Sequence, residues 1–186
     1  VTGIAGGEAL ITATSVDGGF AAACKVVVEE EFNGIVATTA GGYYCGDQYE
    51  NGYDNDFLFL LSGNVKEGGV SLAGKGTALW LDLNLPKTGA TTLPAEHYIP
   101  LLSDDQDQSY TWLPGTDMGA WGIIGSFIYS YQEGDAEPQY IMAEQGTVDI
   151  TLNGSEYTIN AVVTAGGKEY KFRYTGAVTL KDVKDA

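Results

Sequence analysis

Oxygen-bearing side chains suited to cation binding are concentrated in residues 46–56, GDQYENGYDND. Calcium takes six to eight oxygen ligands, and this short segment offers several carboxylates and amides. We predict a calcium site here, with Asp47, Asp54 and Asp56 as ligands. The spacing matches no EF-hand, and the alternative is an ion-free loop whose side chains cap turns. A second oxygen-rich patch comprises Asp104, Asp105 and Asp107.

Aromatic residues beside two loops predict a binding surface. Tyr110, Trp112 and Trp121 flank a loop that contains Gly and Pro, while Tyr49 and Tyr53 belong to the acidic loop. Sugars stack their apolar C–H faces on such rings, and nearby carboxylates and amides accept hydroxyl hydrogen bonds. These five residues are therefore predicted to form a carbohydrate-binding platform. The alternative is a structural role, because aromatic side chains also pair across strands.

The sequence has few of the groups that nucleophilic or metal-assisted catalysis requires. His97 is the only histidine, no serine lies in a G-x-S-x-G turn, and two separated cysteines cannot complete a closed zinc site. No P-loop or dinucleotide fingerprint is present. We expect a non-enzymatic protein. A glycoside hydrolase that uses a carboxylate pair is an alternative, although Asp82, the one acid in mid-strand, is expected to face solvent.

Charge and hydropathy narrow the range of partners. Nine Lys and Arg against 25 Asp and Glu give a formal net charge of −16, which repels phosphate backbones and anionic lipids. Nucleic acid is therefore not an expected partner. No apolar run approaches the ~20 residues of a transmembrane helix. Because the chain begins at Val1 without an initiator methionine, we expect that a signal peptide or lipoprotein leader was removed, although a truncated chain would look the same.

Glycine-punctuated segments with a period of two predict strands. Residues 9–16 and 20–30 are separated by Asp17-Gly18-Gly19 and predict a hairpin. Residues 57–62, FLFLLS, predict a buried strand, and residues 77–85, TALWLDLNL, alternate between a Leu face and a mixed face. The segments 140–152, 156–164 and 169–180 predict a meander, whereas residues 87–122 are irregular.

These strands predict a single all-β domain over residues 1–186. The expected architecture is an antiparallel two-sheet β-sandwich of roughly nine to eleven strands, because turn signals recur at the spacing typical of such folds. The alternative is a lipocalin-like or calycin-like β-barrel, which would carry a small hydrophobic ligand or lipid. Cys24 and Cys45 are either one disulfide or two free thiols.

A resemblance to a known module adds an expectation about location. The succession YYCGDQYENGYDNDFLFLL, ALWLDLNLP, LPAEHY and GTVDITLNGSEYTINAVVTAGGKEYKFRYTGAV resembles a β-module of surface lipoproteins of Bacteroides-type bacteria. The resemblance covers about three-quarters of the chain. It implies export, a lipid anchor upstream of Val1 and a non-catalytic surface role. We therefore expect a cell-surface, outer-membrane-anchored or periplasmic location, and polysaccharide or a surface protein as the partner. The chain departs from the pattern at Glu96 and in having two cysteines.

Overall fold

The computed structural model describes residues 7–28, 31–69, 71–103 and 105–185, and the chain divides into two compact units, Val1–Asn33 and Gly34–Ala186. In the first unit, β1 (Gly7–Thr14) pairs with β2 (Ala21–Val28) in antiparallel register. The predicted hairpin is thus confirmed, and its predicted end at Glu30 lies outside the described residues. The single domain expected over residues 1–186 stays a prediction.

Short and long strands make up the described part of the second unit. They are β3 (Ile35–Val36), β4 (Thr39–Tyr44), β5 (Tyr53–Leu61), β6 (Lys66–Glu67), β7 (Leu72–Ala73), β8 (Gly76–Pro86), β9 (His97–Pro100), β10 (Thr111–Trp112), β11 (Thr116–Asp117), β12 (Ile123–Ile124), β13 (Phe127–Tyr131), β14 (Gln139–Asn153), β15 (Glu156–Ala165), β16 (Lys168–Gly176) and β17 (Leu180–Asp182). One turn of 3-10 helix, Gly119–Trp121, lies between β11 and β12. The predicted all-β class is confirmed.

Most of these strands belong to one eleven-stranded sheet in the order β17-β4-β5-β8-β10-β9-β14-β15-β16-β3. The eleventh strand, β13, pairs with both β8 and β14. Strands β8, β10, β9, β14 and β13 therefore form a closed ring, which makes this part of the sheet barrel-like. The ring has five strands, fewer than the eight of a lipocalin. Two small hairpins, β6–β7 and β11–β12, lie outside the sheet.

Strand β8 holds the centre of the second unit and is covered on both faces. Its Leu face belongs to the main core, a cluster to which β5, β10, β14, β15 and β16 also contribute. Its other face, called the outer face below, packs Ala78 and Trp80 into a second cluster with Tyr43, Phe59 and Tyr129. The strand was predicted correctly. The prediction that Asp82 faces solvent was wrong, because the second cluster also covers the outer face of β8.

The C-terminal strands pair in the predicted order. Strands β14, β15 and β16 pair consecutively as predicted. Two strands, β12 and β13, follow the irregular region and are separated at Gly125. At this glycine φ is +82°, and a Cβ would collide with the Pro114 carbonyl oxygen. Among the described residues no helix is long and apolar enough to cross a membrane. Both cysteines are free thiols, exposed at Cys24 and buried at Cys45.

Candidate ligand-binding pocket

A pocket of about 280 Å³ opens on the outer face, where β8 runs between β5 and β13. Its described lining residues are Gln48, Tyr49, Phe57, Trp80, Asp82, Ile123, Ile124, Gly125 and Phe127. Four of the nine are aromatic and one is a carboxylate. We call this site the aromatic pocket. Its volume lies near the lower end of the range for small-molecule sites, which suits a ligand of about one ring.

The carboxylate of the aromatic pocket belongs to Asp82, which is 0% exposed. Asp82 lies in mid-strand, where its backbone N–H donates to Ser126 Oγ at 3.0 Å and its carbonyl accepts from the Leu113 N–H at 2.8 Å. Tyr49 Oη donates to Asp82 Oδ2 at 2.6 Å. Oδ1 is buried and has no hydrogen-bond partner among the described residues. Burial raises the pKa of this carboxyl to about 7, against the smaller lowering effect of the Tyr49 hydrogen bond.

Tyr49 is held over Asp82 by buried amides. Its backbone N–H donates to Asn55 Oδ1 at 3.3 Å, and Asn55 Nδ2 donates in turn to Asn84 Oδ1 at 2.8 Å. Asn84 Nδ2 then donates to Thr111 Oγ1 at 3.1 Å. The ladder crosses β5, β8 and β10, so the loop before β5 is tied to the centre of the sheet. Burial and then the Asp82 charge raise the pKa of Tyr49, which keeps its hydroxyl protonated as a donor.

Aromatic rings form the walls of the pocket through cross-strand pairing. Phe59 on β5 and Phe127 on β13 lie directly opposite Trp80 on β8, and both rings stack on the indole, with centroids 6.0 and 5.9 Å away. The Phe57 ring packs against the same indole, with the two ring centroids 5.4 Å apart. Such cross-strand pairs stabilise a sheet. Because Phe57 and Phe127 are only half-buried, part of this aromatic surface also faces the pocket.

One side of the pocket is contributed by the β11–β12 hairpin. Ile123, Ile124 and Gly125 line the pocket, and Trp121 lies in the single helical turn before them. Trp121 is 90% exposed. This predicted binding residue therefore belongs to an accessible apolar hairpin that also supplies part of the pocket wall.

The other predicted aromatic residues occupy different environments. Tyr49 lines the pocket, as just described. Tyr53 Oη donates to Asp107 Oδ1 at 3.4 Å on the surface, and half-buried Tyr110 packs edge-on against Tyr98. Trp112 is 0% exposed, because β10 directs it into the main core opposite Leu83. Its assignment to an exposed platform is therefore wrong.

Two of the predicted calcium ligands, Asp47 and Asp54, each accept hydrogen bonds from different backbone amides. Asp47 accepts hydrogen bonds from the Asn51 and Gly52 amides and pairs with Lys87 Nζ at 2.7 Å, which lowers its pKa. Asp54 accepts from the Thr88 and Gly89 amides, at 2.8 and 2.7 Å.

The third predicted ligand, Asp56, is buried, with both oxygens unpartnered among the described residues. Among those residues no group of three or more His, Cys, Asp and Glu is arranged to hold a metal. Calcium binding stays a prediction. In the second acidic patch, Asp104 lies outside the described residues.

Two buried carboxyl groups lie on opposite faces of the β5–β8 pair. Asp56 is opposite Leu83 and faces the main core, whereas Asp82 is opposite Phe57 and faces the aromatic pocket. Burial, followed by the charge of Asp54, raises the pKa of Asp56 to about 7. Because the sheet separates them, these two carboxyls do not flank a common substrate as the pair in a glycoside hydrolase must. His97 lies elsewhere, with Nδ1 2.6 Å from Asp149 Oδ1 on the surface.

Of the nine pocket residues, only Tyr49 was predicted from the sequence, and four of the other eight supply the remaining aromatic and carboxylate groups. They are Phe57, Trp80, Asp82 and Phe127. The available signal was a charged residue within the apolar strand TALWLDLNL, flanked by a tryptophan at the same-face position i−2. No known protein family, curated protein or solved structure matches this chain.

Proposed function

We propose that this protein is a non-enzymatic, exported surface module that binds a glycan in the aromatic pocket. The observation that carries the proposal is the placement of the buried Asp82 carboxylate, with an unpartnered oxygen, beside the rings of Phe57, Trp80 and Phe127. Aromatic faces stack on the C–H face of a sugar ring, and a carboxylate oxygen accepts hydroxyl hydrogen bonds. The pocket volume suits one sugar residue, so a chain end or a branch is the expected part of the glycan.

The binding test uses tryptophan fluorescence and isothermal titration calorimetry with a panel of mono- and oligosaccharides. We expect a saturable response for at least one sugar. Phe127→Leu keeps an apolar side chain but removes a stacking face, and it should weaken binding about tenfold or more. Tyr170→Leu is the matched control, because Tyr170 is a half-buried aromatic residue that packs against the main core. A flat response across the panel, or equal weakening by both variants, would refute the proposal.

The exported location rests on the resemblance to surface lipoprotein modules. A direct test is protease treatment of intact cells that express the protein from its native gene. Digestion without cell lysis is expected for a surface module. Protection until the cells are lysed would contradict a surface location while leaving glycan binding to be judged by the titrations.

A further inference from the structure

We propose that the aromatic pocket selects a ligand that carries a protonated amine. This inference rests on the glycan function proposed above, and the ligand class is therefore an amino sugar residue with a free amine. Three features of the pocket favour such a ligand: the missing hydrogen-bond donors of its carboxylate, the aromatic residues of its walls and the charges around it.

The carboxylate of Asp82 lacks a full set of donors. Tyr49 supplies one hydrogen bond to Oδ2, while Oδ1 is buried and has no partner among the described residues. An ionised carboxylate accepts several hydrogen bonds, and a buried charge is costly unless a counter-charge accompanies it. An ammonium group supplies both the counter-charge and three donors, whereas a sugar hydroxyl supplies one donor and no charge.

The walls beside the carboxylate suit a cation. Rings of Tyr49, Phe57, Trp80 and Phe127 line the space, and the half-buried rings of Phe57 and Phe127 keep part of their surface open to it. The negative face of an aromatic ring attracts an ammonium. The same rings accept the C–H face of a sugar. An amino sugar is therefore the class that uses both the carboxylate and the aromatic surface.

The surrounding charges favour the same ligand. None of the described pocket residues is basic, so the chain itself offers no cation to Asp82 there. Lys87, which contacts the loop that carries Tyr49, pairs with Asp47. A formal net charge of −16 raises the local concentration of cations around the whole molecule.

The test compares glucosamine, N-acetylglucosamine and glucose by calorimetry at pH 7. N-acetylation removes the charge and glucose removes the nitrogen, so together they separate charge from size. We expect glucosamine to bind about tenfold or more tightly than either neutral sugar. Asp82→Asn should abolish this preference, while Asp105→Asn, at an exposed carboxylate, should leave it unchanged.

The outcomes distinguish this inference from the proposed function. Equal affinity for the three sugars, unchanged in Asp82→Asn, would overturn amine selection and leave glycan binding in place. No binding of any sugar, here or in the wider panel, would overturn both. The comparison of ligands on the unaltered protein needs no variant, so a folding defect in Asp82→Asn cannot conceal the result.

Discussion

Asp56→Asn should flatten the pH dependence of stability. The Asp56 carboxyl is 1% exposed, has no hydrogen-bond partner among the described residues, and faces the main core near Asp54 and Tyr98. Its pKa is raised from 3.8 to about 7 in the folded state, first by burial and then by Asp54. Between these two values the folded protein binds more protons than the unfolded chain, so stability falls as the pH rises from about 4 to 7.

The size of the effect follows from the two pKa values. A difference of about 3 pKa units corresponds to about 4 kcal/mol of destabilisation above pH 7, of which about 2.5 kcal/mol develops between pH 5 and pH 8. Asparagine does not titrate, so Asp56→Asn should lose this share of the pH dependence and keep the share due to Asp82. Comparing the change between pH 5 and pH 8 cancels the cost of burying the amide itself.

Urea unfolding at pH 5, 6, 7 and 8 provides the assay. The unaltered protein should lose about 2.5 kcal/mol more than Asp56→Asn over this range. Asp105→Asn removes an exposed carboxylate and serves as the control for overall charge. Parallel profiles of unfolding free energy against pH for the unaltered protein and Asp56→Asn would show that folding does not raise the pKa of Asp56, which would contradict the prediction.

Three further comparisons, each made by urea unfolding, test the site and the structure that supports it. Tyr49→Phe removes the donor to the pocket carboxylate and should cost about 1–3 kcal/mol, more at pH 8 than at pH 5; an equal loss at both would argue against that hydrogen bond. Trp112→Ala should lower the free energy of unfolding by about 3–5 kcal/mol and Trp121→Ala by under about 0.5 kcal/mol, because only Trp112 is buried. Similar losses for the two variants would contradict this placement. Gly125→Ala should destabilise more than Gly122→Ala, because both have positive φ but only the first meets backbone atoms; equal losses would refute the close approach.

Much of the local structure could be predicted because strand patterns are properties of short segments. The alternation in residues 77–85, the apolar run 57–62 and the turn at Asp17–Gly19 each identify an element within about ten residues. The all-β class and the meander follow from these patterns. The closed ring does not, because it depends on β13 pairing with β8 across a long stretch of chain.

The site depended on tertiary structure to a greater extent. Tyr49 was predicted as a binding residue from its loop, and it does line the pocket. Asp82 was expected at the surface, because an acidic residue on the mixed face of a strand is usually solvated. The cluster that buries it comes from β4, β5 and β13, whose order in the sheet no local pattern of β8 reveals.

Sequence by itself therefore determined the residue types, the strands and the net negative charge. Tertiary structure decided which aromatic residues are accessible. Trp112 and Trp121 both belong to the segment 87–122, which is irregular in sequence, yet Trp112 is buried in the core and Trp121 is exposed. Tertiary structure also decided that Asp82 meets Trp80 and Phe127 at a pocket. The physical reason is that burial is a property of the whole packed sheet, whereas periodicity is a property of one strand.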